Sequence, residues 1–153
     1  MTLTELLNPE LIFPKIACAS KDDLVADLVG RIYRSRGGFP LSQESLLETI
    51  CAREHIGGTL LPSGLSVPHA RLKGFDDFVI ALATPALPLF YAGQEIRLAA
   101  MMITSQSGGR WYLTALAALT KISRDMEYLS RLCEAQTPEI FIGILRERDP
   151  LLA

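Results

Sequence analysis

Phe78-Val-Ile-Ala-Leu-Ala-Thr84 runs without a charged side chain. A strand with one wet face alternates apolar and polar residues, whereas a strand covered on both faces reads as a continuous apolar run. The segment is therefore expected to be a buried strand. Glu95-Ile-Arg-Leu-Ala-Ala-Met-Met-Ile-Thr104 reads as another, joined to the first through two punctuated turns at 85–88 and 91–94. Strands this apolar need helices to cover them, and the flanking sequence supplies helices.

Upstream, residues 11–17 fit a first strand if Pro14 lies at an edge or bend. Ser20 reads as a helix N-cap, Asp22 and Asp23 suit the first turn, and Gly37-Gly38 gives a stop. Between them Leu24, Val25, Leu28, Val29, Ile32 and Tyr33 form one apolar stripe, while Arg31, Arg34 and Arg36 near the end read as solvated and dipole-compensating. Ser42 caps a second helix in which Leu46, Leu47, Ile50 and Cys51 share a face and Arg53-Glu54 lie in the last turn. Residues 65–70 fit a short strand with His69 at its end, and Pro68 pushes Val67 into an extended conformation. Downstream, helices are expected over 110–123, with Trp111, Ala115, Ala118, Leu119 and Ile122 available for one face, and over 126–133. A last helix starts at Thr137-Pro138-Glu139, and 145–153 reads as a frayed tail. The expected architecture is α/β (α+β): a single-domain layered sandwich over 1–153, core about 3–146, with a mixed β-sheet flanked by helices.

A chain of 153 residues with a net charge of −2 offers no broad basic field, which argues against nucleic acid as its main partner. Cys18, Cys51 and Cys133 lie far apart in apolar settings, an odd number without metal-ligand spacing, which fits a reduced cytoplasmic protein. The N-terminus lacks the basic region of a signal peptide, and no apolar stretch approaches the ~20 residues of a membrane-spanning helix, so no membrane insertion is expected.

Both histidines fall within residues 53–71, which also carry Gly57, Gly58, Pro62 and Gly64. A lone histidine is open to several readings: core residue, metal ligand, general base or nucleophile. Near neutral pH an ordinary imidazole is largely unprotonated, and a hydrogen bond at one nitrogen leaves the other to present its lone pair. A phosphoryl acceptor needs that geometry and donors for three oxygens. Arg53, Arg71, the hydroxyls of Thr59 and Ser66 and the amides around Gly57-Gly58 are of the right type. Two histidines fourteen residues apart match no recognised zinc spacing, so neither a metal nor a cofactor is expected. There is no G-x-S-x-G elbow and no G-x-x-x-x-G-K-[ST] loop, which disfavours a serine hydrolase and direct nucleotide hydrolysis.

Arg53-Glu54, Gly58-Thr59 and Gly64-Leu-Ser-Val-Pro-His69-Ala-Arg71 together resemble the signature of enzyme IIA domains of the fructose/mannitol class of the bacterial phosphoenolpyruvate-dependent phosphotransferase system, roughly R-E, G-S-T, G-I-A-I-P-H. The Thr-Glu-Leu-Leu-Asn-Pro-Glu opening, the first helix and the C-terminal helices also fit that class. The resemblance implies that His69 accepts a phosphoryl group from an HPr-like histidine phosphocarrier, supported by Arg53 and Thr59. It also implies delivery to a cysteine of a sugar-permease B domain, or control of a regulated protein in the nitrogen-regulatory branch, whose standalone length this chain shares. Three departures stand out. Tyr112-Leu113 holds the place of a second active-site histidine, Gly58 that of a serine, and 105–109 that of a proline-containing segment. A tyrosine hydroxyl can donate to a phosphoryl oxygen but does not titrate near pH 7. His55 reads as an exposed helix-end residue. The alternative function is a non-catalytic regulatory binding module of the same fold.

Overall fold

The computed structural model describes residues 2–107 and 109–148. A short helix α1 (Leu3–Leu6) and a 3-10 turn (Pro9–Leu11) lead into strand β1 (Ile12–Ile16). Helices α2 (Lys21–Ser35) and α3 (Gln43–Gly57) follow, then β2 (Leu65–Ser66), β3 (His69–Leu72), β4 (Val79–Pro85), β5 (Leu89–Tyr91), β6 (Gln94–Ile96) and β7 (Leu98–Ser105). Helices α4 (Gly109–Ser123), α5 (Met126–Glu134) and α6 (Pro138–Glu147) complete the described chain.

The two apolar runs are the centre of the sheet. Strands β4 and β7 pair antiparallel, with Ile80 opposite Met102 and Leu82 opposite Ala100. On the outer sides β1 runs parallel to β4, and β2 and β3 run parallel to β7. Period-2 alternation divides the central side chains between two cores. Ile80, Leu82, Leu98, Ala100 and Met102 pack with α1, α4, α5 and α6. Val79, Ala81, Ala83, Ala99, Met101 and Ile103 pack with α2 and α3. The result is a mixed sheet between two helical layers, as the unbroken apolar runs imply.

Side-chain caps start the helices where the sequence places them: Ser20 Oγ accepts from Asp23 N–H, Ser42 Oγ from Ser45 N–H, and Thr137 Oγ1 from Ile140 N–H. Pro14 lies in edge strand β1, where register with β4 breaks between Phe13 and Ile16.

Several boundaries differ from expectation. The strand read over 95–104 is two strands, because Gln94–Ile96 turns back on Leu89–Tyr91 as a hairpin before β7 begins at Leu98. The strand over 65–70 is also two, interrupted at Val67-Pro68 and continuing through His69 to Leu72. Helix α3 runs past Glu54 to Gly57, and Trp111 is only half-buried while Tyr112 takes the buried face. The tail expected from Leu145 is helical to Glu147, with Leu145 buried, and residues 149–153 lie outside the described residues. Among the described residues no helix is long and apolar enough to cross a membrane, and no group of three or more His, Cys, Asp or Glu could hold a metal ion.

Candidate functional site

The interruption between β2 and β3 builds the site. Pro68 has no N–H to give to the sheet, yet its carbonyl accepts from Met102 N–H at 2.9 Å, so the chain stays docked on β7. Val67 N–H turns away and donates to the Thr59 carbonyl at 3.0 Å. The Val67 carbonyl takes a short hydrogen bond from the Thr59 hydroxyl and lies 3.0 Å from His69 Nδ1. A carbonyl can only accept, so this contact requires the proton on Nδ1 and leaves the lone pair of the neutral ring on Nε2.

His69 opens β3 opposite Met102, on the outer side of the sheet, where both helical layers come within reach. From the α4 layer, Tyr112 places its ring 5.2 Å from the His69 ring, tilted by 39°. Tyr112 is 7% exposed. Burial pushes its phenol above the ordinary tyrosine range, an effect opposed by Arg71 and Arg53 and reinforced by Glu54, so the hydroxyl is a neutral donor near pH 7. From the α3 layer come Thr49 and Arg53, one helical turn apart. With His69, Ala70 and Arg71 they line a cleft of about 280 Å³. Arg53 and Arg71 are exposed, and the cleft can thus set two guanidinium groups around one half-buried imidazole. This arrangement suits a small anion carried on the ring.

The other residues singled out in the sequence divide. Thr59 touches the Val67 carbonyl that holds the histidine. Ser66 is 2% exposed, shares the face of Ala99, and is not among the residues lining the cleft. Gly58 caps the C-terminus of α3 with φ −62° and ψ 159°. His55 is exposed on α3 and lies 3.9 Å from Asp22.

Three features escaped the sequence reading. Thr49 lines the cleft and was detectable as the i−4 neighbour of Arg53. The part of the Val67 carbonyl depends on backbone direction, which residue types do not encode. Beneath Gly58 lies a buried ion pair, Lys21 with Glu54 at 2.9 Å, whose only trace in the sequence is a lysine at the first position of a helix.

Comparison with known proteins covers most of the chain. Residues 5–148 match the family described as Phosphoenolpyruvate-dependent sugar phosphotransferase system, EIIA 2. A nitrogen regulatory protein of Bradyrhizobium diazoefficiens is 23% identical over 148 residues, covering 95% of each chain. The 2-O-alpha-mannosyl-D-glycerate-specific EIIABC component of Escherichia coli is 28% identical over 153 residues, 97% of this chain and 23% of that protein. In the complex of the mannitol enzyme IIA with phosphorylated enzyme IIB from Escherichia coli, the matching chain is 15% identical, with a TM-score of 0.72 over 93% of this chain and 98% of that one.

Proposed function

Because this chain belongs to the EIIA 2 family of the phosphoenolpyruvate-dependent sugar phosphotransferase system, we propose that it is a phosphohistidine carrier whose acceptor atom is Nε2 of His69. The observation that carries the reading is the 3.0 Å contact of His69 Nδ1 with the Val67 carbonyl, which leaves Nε2 as the nucleophilic nitrogen.

An HPr-like phosphocarrier, itself phosphorylated on histidine, is the donor. The Nε2 lone pair attacks phosphorus in line, a new N–P bond forms, and the donor's N–P bond breaks with its electron pair returning to the donor imidazole. Nδ1 keeps its proton throughout, hydrogen-bonded to the Val67 carbonyl, which stabilises the positive charge that the ring acquires. Arg53 and Arg71 neutralise the phosphoryl oxygens, the Tyr112 hydroxyl supplies a neutral donor, and Thr59 acts through the Val67 carbonyl. The onward acceptor is a cysteine of a sugar-permease B domain, in line with the enzyme IIB in the mannitol complex, or the phosphoryl group itself is the signal in nitrogen-related regulation.

The test is intact-mass analysis after incubation with enzyme I, the cognate phosphocarrier and phosphoenolpyruvate. The expected product carries one acid-labile phosphoryl group, and His69→Gln abolishes it. Wild-type protein that stays unmodified with its own phosphocarrier defeats the proposal. Tyr112 at the place of a second histidine favours the other reading, a binding module that takes no phosphoryl group. In that case partner capture is the same for wild type, His69→Ala and the charge mimic His69→Asp.

A further inference from the structure

Lys21 and Glu54 meet at 2.9 Å with each side chain 4% exposed. Beyond this ion pair, Lys21 Nζ and both Glu54 carboxylate oxygens are buried with no further hydrogen-bond partner among the described residues. Taking two charges out of water is repaid only by good geometry and additional hydrogen bonds, so this pair is a poor source of stability. Neither charge suits its own helix. Lys21 is the first residue of α2, where the dipole disfavours a cation, and Glu54 lies in the last turn of α3, where it disfavours an anion.

The position of the pair gives it a purpose. A Cβ built on Gly58 falls 2.9 Å from Lys21 Nζ, 3.3 Å from the Glu54 carbonyl oxygen and 3.4 Å from Glu54 Oε1. The backbone of Gly58 is in a region open to any residue, so what crowds a side chain there is the Lys21 ammonium and, less closely, the Glu54 carbonyl oxygen. The ring of Tyr91 meets the ammonium from another direction, 4.2 Å from Nζ to the centroid, so a retreat gives up that contact. The next residue after Gly58 is Thr59, whose backbone carbonyl and hydroxyl both bond Val67.

We propose that Lys21 and Glu54 are positioning residues: they clamp the turn at 57–59 so that Thr59 keeps the Val67 carbonyl aligned on His69 Nδ1, which holds the imidazole in its Nδ1–H tautomer. The functional meaning of the clamp rests on His69 being the acceptor, but the tautomer is measurable without any phosphoryl transfer. The Gly58 departure from the serine of the resembled pattern then follows from the ammonium that fills the space a serine would need.

Long-range 1H–15N correlation NMR above the imidazole titration reads the His69 tautomer directly. Wild type is expected to show the Nδ1–H form in excess. In Lys21→Met/Glu54→Leu, which leaves no unpaired buried charge, that excess falls about fivefold, the worth of one neutral hydrogen bond, while the circular dichroism spectrum is retained. Gly58→Ala keeps both charges but displaces the ammonium and gives the same loss; it decides the matter if the double variant does not fold. A wild type without the excess, or a folded variant that keeps it, overturns the proposal. Wild-type protein with the Nδ1–H form that takes no phosphoryl group instead defeats the acceptor reading and leaves the clamp standing.

Discussion

At the scale of single residues, the site is organised by a backbone atom, the Val67 carbonyl, on which Thr59 and His69 converge. Thr59→Val removes one donor and is expected to cost about 1 kcal/mol in urea unfolding, whereas Thr59→Ser retains the bond; equal losses from the two would contradict this role. Tyr112→Phe keeps the buried ring beside His69 and removes only the hydroxyl. If that hydroxyl donates to a phosphoryl oxygen, the rate of phosphorylation from the phosphocarrier falls about tenfold, the value of a hydrogen bond to a charged group, with little change in melting temperature. Arg53, His69 and Arg71, which line one cleft, stood out in the sequence through residue type together with the family resemblance. Ser66 looked equivalent to Thr59 as a hydroxyl donor, because sequence gives donor chemistry without direction. Its pairing in β2 buries it on the face of Ala99.

At the scale of elements, helices α2 and α3 were legible because each carries a local start signal and an apolar stripe that persists over several turns. Strands were legible as hydrophobic runs but not as boundaries. The breaks at Val67-Pro68 and Arg97 are made by backbone partners outside the strands: Val67 N–H goes to Thr59 eight residues back, and Arg97 N–H goes to the Gly64 carbonyl where the β5–β6 hairpin ends. The C-terminal helix shows the same dependence. Leu145 looked like the start of a tail, yet it is 1% exposed and belongs to the core cluster formed with α4 and α5. Leu145→Ala is expected to destabilise the protein by about 2–5 kcal/mol, seen as a lower urea midpoint with an unchanged slope. A loss near zero would return this segment to the status of a tail.

At the scale of the whole molecule, surface charge is organised in arginine–carboxylate pairs that make stability depend on acid. A hydrogen bond from Arg36 holds Asp77 below the usual carboxylate range, Arg131 does so for Glu147, and Arg148 for Asp125. Arg36 also lies over the rings of Phe39 and Phe75, so it is a partner of the surface and not merely a solvated charge. With folded-state pKa values below those of the unfolded chain, the stabilisation is present above the unfolded carboxylate range and is lost as pH falls through the folded values. Thermal melts are expected to decline below about pH 4, and Arg36→Gln reduces that dependence; a flat profile would contradict the pairing. Strand order was not legible in the sequence, because nothing in β4 or β7 alone specifies which neighbours they take. His69 stands on the outer strand between two cores that the sheet keeps apart. A phosphoryl group on His69, held as proposed by Arg53 of one layer and Tyr112 of the other, would act as a rivet across the seam. Amide hydrogen exchange in α3 and α4 should slow together when it is in place, and the loosening of either helix should release it.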